Sequence, residues 1–214
     1  KCKDDPELIN TVITLFPNLD DPKKSSIVRN LPSMVDVEQF LCLKGYSFIV
    51  SLFSMNPIVI DATVQILRTI PLTSKGFRQV KLISCLSHSK NESTIELLRD
   101  LCQYEDIAKQ VADHDIPFES VKGQELLLLR IYKNILNFHE IRSKVAECQQ
   151  PISLAAVALH DEPVEVCQCL INYPLLMTDA DLILALGLIP IFADVADKTE
   201  LALKILSTIF VICP

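Results

Sequence analysis

From Val37 onward the chain alternates apolar stretches at helical spacing with short polar breaks. The clearest case is Asp181–Ile209. Its first half is apolar on nearly every side, bends at Gly187-Leu188-Ile189-Pro190 and runs on through Ile191, Phe192 and Val195. After a polar break at Asp197-Lys198-Thr199 a second helix carries Leu201, Leu203, Ile205, Leu206 and Ile209. A helix that is apolar almost all round must be covered by neighbours, because one amphipathic stripe would leave too much of it in water. Earlier in the chain the same alternation predicts Val37–Met55 with a bend at Gly45, a helix starting at Asn56-Pro57, and the pair Gly76–Ser87 and Glu92–Cys102. Two further pairs follow, Ile107–Val121 with Glu125–Leu136 and Glu140–Leu159 with Pro163–Tyr173. Residues 1–36 fit less well: a helix at Pro6–Phe16, a loop at Pro17–Lys24 and a helix at Ser25–Met34 make an atypical N-terminal cap.

The pattern is also a repeat. EDIAKQVADHDIPF (105–118) and HEIRSKVAECQQPI (139–152) align without a gap at an offset of 34 residues, sharing Ile107/Ile141, Val111/Val145, Ala112/Ala146 and Pro117/Pro151. Bends at Gly45, Gly76, Pro117, Pro151 and Pro190 space the units roughly 31–41 residues apart, a period of helical solenoids. The Gly-x-Ile-Pro turn at 187–190 resembles the opening of the middle helix of an armadillo repeat, and residues 37–214 are similar to that family in pattern. The fold expected from this resemblance is all-α, an α-α superhelix of about five armadillo-like (or HEAT-like) repeats, with 1–36 as cap and 37–214 as one continuous solenoid domain.

Charge and composition narrow the function classes. With 20 Lys and Arg against 27 Asp and Glu the formal net charge is −7, which argues against nucleic acid, whose affinity comes from clustered cations. The apolar run Leu182–Ala193 is too short to span a bilayer. Lys1 is not a start methionine, and the helical pattern runs almost to Pro214, which points to a piece of a longer protein. Eight cysteines without a CxxC pair read as small hydrophobes of a reduced, cytoplasmic or nuclear protein. The sequon Asn91-Glu92-Ser93 reads as chance. No catalytic set can be assembled: the four glycines are far apart, and His88, His114, His139 and His160 lie scattered in polar turns. The expectation is therefore a non-enzyme without metal or cofactor.

A repeated polar face is the candidate site. The last helix of each unit aligns as QILRTI, ELLRDL, RIYKNI, QCLINY and KILSTI. The resemblance implies that these third helices line a concave groove, where family members place Trp against a bound extended peptide and Asn on its backbone. Here the first column holds Gln65, Glu96, Arg130, Gln168 and Lys204, and the second Thr69, Asp100, Asn134, Asn172 and Thr208. Members of a pair are four residues apart and share a helix face. Trp is absent and Asn stands at two of five positions, which argues against recognition of nuclear-localisation signals. Arg68, Arg99 and Lys133, joined by Arg130 and Lys204, draw a basic line that points to an acidic or phosphorylated segment. Any surface helix also needs a polar side, so the face has a purely solvating reading too. The functional expectation is a scaffold that binds a segment or domain of a partner protein through this surface. The alternative is a regulatory or homodimerising domain of a larger signalling protein, beside a kinase or in the GTPase-binding part of a formin.

Overall fold

A computed structural model describes residues 5–42, 45–113, 123–145, 148, 150–159, 161–170, 172–173 and, toward the C-terminus, 189–190, 193, 202–203 and 206–207. Among these residues every regular element is a helix and no strand occurs, so the chain is all-α. Contacts divide it into two compact units, Lys1–Leu101 and Cys102–Pro214.

The first unit opens with α1 (Pro6–Leu15), a 3-10 turn at Phe16–Asn18 and α2 (Asp21–Met34). It continues through α3 (Val37–Cys42), α4 (Tyr46–Leu52), α5 (Pro57–Leu67), a second 3-10 turn at Lys75–Arg78, α6 (Val80–His88) and α7 (Glu92–Leu101). Capping chemistry sets several of these starts. Asp5 accepts from the Glu7 and Leu8 amides ahead of α1, and Asn56 accepts from the Val59 amide ahead of α5, each with Pro as first helical residue. Asp36 and Asn91 take the Gln39 and Thr94 amides at the starts of α3 and α7. The expected loop Pro17–Lys24 is shorter than its composition implied. Asp20 accepts from the Lys23 amide and Pro22 is tolerated in the first turn, so α2 begins at Asp21.

Within this unit equivalent helices lie side by side. α3 packs on the Lys75–Arg78 turn, α4 on α6 and α5 on α7. Side chains fix the register: Gln79 Nε2 donates to the Leu41 carbonyl, the Leu82 amide to the Tyr46 hydroxyl, and Asn91 Nδ2 to Asp61. α5 and α7 run parallel, because Asp61 meets Asn91 and Ser93 near their starts while Arg68 meets Asp100 near their ends. The expected bends at Gly45 and Gly76 answer to packing. A Cβ on Gly45 would sit 2.1 Å from the Phe40 ring, and one on Gly76 would sit 2.6 Å from Leu41 Cδ2. Both glycines thus let the short first helix α3 pack closely. On the other flank of α5 lies α2.

The second unit holds α8 (Glu105–Asp113), α9 (Glu125–Leu136), α10 (His139–Val145), α11 (Gln150–Ala158) and α12 (Pro163–Leu170). The two segments aligned at an offset of 34 residues start α8 and α10, which pack together with Ile107, Val111, Ile141 and Val145 all buried. Lys109 reaches Glu140 at 2.7 Å and Lys144 pairs with Asp113, so α8 and α10 are parallel as well. The stretch Glu140–Leu159 is two helices rather than one, with Pro151 in the first turn of α11, where its missing N–H costs nothing. α12 stops at Leu170 rather than Tyr173, leaving Asn172 in a turn. Pro117, Gly187 and nearly all of the repeat 181–209 lie outside the described residues; within it Ala202 and Leu206 are buried.

Candidate polar face of the third helices

In α5 and α7 the predicted apolar positions Ile66, Leu67, Leu97 and Leu98 are buried, which turns the polar columns outward. Gln65 and Arg68 are exposed, while Glu96, Arg99 and Asp100 are half-buried. Parallel stacking brings four of these five together. Arg68 donates from Nη1 to Asp100 at 3.0 Å and from Nη2 to Glu96 at 3.3 Å, and Arg99 holds the other Asp100 oxygen at 2.7 and 2.9 Å. Thr69 lies past the end of α5 and returns its hydroxyl to the Ile66 carbonyl.

The same arrangement joins α9 to α12. Arg130 makes a two-pronged bond to Glu165, Nε at 2.6 Å and Nη2 at 2.8 Å. That bond pushes the Arg130 pKa further above its ordinary value. Lys133 Nζ lies 3.5 Å from Gln168 Oε1, a bond at the limit of useful length. Asn134 is half-buried on α9, and Asn172, in its turn, does not share the α12 face with Gln168. Lys204 and Thr208 lie outside the described residues.

One register therefore serves both stacks. The residue three positions after the first column reaches the next helix's first column, as Arg68 to Glu96 and Lys133 to Gln168. Three members of the expected basic line, Arg68, Arg99 and Arg130, each already face a carboxylate, while Lys133 faces the Gln168 carboxamide. Sequence reasoning missed Glu165 and Asp61. A usable signal was there: Glu165 lies one repeat beyond Arg130, at the spacing that separates Lys133 from Gln168.

Asp61, Asn91, Glu92, Ser93 and Glu96 border a shallow open hollow of about 350 Å³. Ser93 Oγ stands 2.7 Å from Asp61 Oδ1 and 2.6 Å from Asn91 Oδ1, and Asn91 Nδ2 donates to Asp61 at 3.0 Å. The sequon asparagine thus uses its amide within the fold. Cysteine chemistry is muted. Burial pushes the Cys167 and Cys169 thiols up to about 11 and that of Cys102 higher still, so all three stay protonated as core side chains, whereas Cys42 is exposed. His88 is exposed with a ring nitrogen 2.7 Å from the Ser84 carbonyl, and His139 is exposed at the start of α10. His114 and His160 lie outside the described residues. Among the described residues no cluster of three or more His, Cys, Asp or Glu could hold a metal ion, and no helix is long and apolar enough to cross a membrane. In comparisons with known proteins, the chain matches no family model, no curated protein and no solved structure.

Proposed function

We propose that the chain is a non-catalytic protein-interaction module built of armadillo-like repeats, which holds a partner protein along the outward face of α9 and α12. The observation that carries this reading is the shared register: Arg68 to Glu96 and Lys133 to Gln168 join successive third helices at the same two positions. Parallel stacking of equivalent helices lines up their outer side chains within each unit, and solenoids engage partners through such stacked faces. The internal pairing of its arginines favours a polar partner of low net charge, held by carboxamides and guanidinium edges, over an acidic peptide.

The test is affinity capture with mass-spectrometric readout, comparing the native chain with the triple variant Arg130→Glu/Lys133→Glu/Asn134→Ala after circular dichroism has shown equal helicity. A partner captured only by the native chain supports the reading. A partner retained equally by both moves binding away from the α9–α12 face.

A further inference from the structure

We draw no further inference here: the strongest candidate, the shallow hollow between α5 and the start of α7 bordered by Asp61, Asn91, Glu92, Ser93 and Glu96, is a cluster of acidic side chains whose Asn91 and Ser93 already bond within it, and nothing in the structure points to a ligand that would enter it.

Discussion

The α5–α7 stack of the first unit and the α9–α12 stack of the second share a register and differ in chemistry. In the first, two arginines meet Glu96 and Asp100, and the hollow at the helix starts adds Asp61 and Glu92, so carboxylates prevail. In the second, Arg130 and Lys133 face Glu165 and the carboxamide of Gln168, with the Glu162 carboxylate also acting on Arg130, so the charges balance. A shared register with a different charge balance shows that the outer side chains do not set the stacking. The apolar positions do: Leu97, Leu98, Leu128, Leu129 and Ile131 are all 0% exposed. The outer face is left free to vary, which is what an interaction surface requires.

That division of labour breaks most visibly in the core. Leu98→Ala should cost about 2–5 kcal/mol, the lost transfer energy plus a cavity, read as a lower denaturant midpoint. Removing Arg68 and Asp100 together on the outer face should cost no more than about 1 kcal/mol, as exposed pairs do. Comparable losses from the two would show that the ion cluster, not the leucines, holds α5 against α7. Gly76→Ala follows in size. Its new methyl would stand 2.6 Å from Leu41 Cδ2, a side chain that is itself fully buried. Overpacking of this kind costs about 1–3 kcal/mol, measurable by the same titration, and a neutral outcome would mean that α3 can shift away from the turn.

How far the sequence foretold this follows the same line. Helix identity was legible where apolar spacing and a cap coincided, as at Asn56-Pro57, and where a long apolar spacing stood alone, as at Glu125–Leu136, whose N-cap position Gln124 makes no side-chain cap bond. The repeat between residues 105–118 and 139–152 was legible because the α8 and α10 positions it aligns, Ile107, Val111, Ile141 and Val145, are core. Boundaries were less so. Pro22 and Lys23 read as loop by composition, but one carboxylate at Asp20 converts them into a first turn. The outward direction of Arg68, Asp100 and Arg130 was legible from period alone. Their pairing was not, because a helix face drawn from one segment does not say which face of the next repeat stands beside it. Only stacking put Glu165 next to Arg130.

A smaller effect sharpens the contrast between the two stacks. Arg130 and Glu165 are joined by two parallel bonds, with side chains 35% and 31% exposed. A double-mutant cycle with Arg130→Ala and Glu165→Ala should give a coupling of about 0.5–1 kcal/mol, near the top of the range for solvent-accessible pairs. The corresponding cycle for Lys133 and Gln168, at 3.5 Å, should fall below detection. Reversal of that order would place the register constraint on Lys133 and undo the assignment of Arg130–Glu165 as the main bridge.

The smallest effect comes from α8 and α10, where the bridging charges stand in water. The hydrogen bond from Lys109 holds the Glu140 carboxyl below its ordinary value, and the bonds to Glu140 and Glu105 push Lys109 up to about 12. A lowered carboxylate contributes stability that is present above its ordinary pKa and is lost as pH falls through the folded value. A raised lysine contributes stability that is complete below its ordinary pKa and is lost as pH rises through about 12. Between those limits the bridge is indifferent to pH. Glu140→Gln should therefore lower neutral stability by the small amount the bridge contributes, leave stability unchanged in acid where Glu140 is already protonated, and so flatten the acid limb of an unfolding profile. A carboxyl-detected NMR titration checks the cause directly: Lys109→Met should return Glu140 to an ordinary value. If Glu140 titrates in the native chain as it does in the Lys109→Met variant, the Lys109–Glu140 bridge does not hold in solution, and the buried Ile107, Val111, Ile141 and Val145 with the Lys144–Asp113 pair align the two helices.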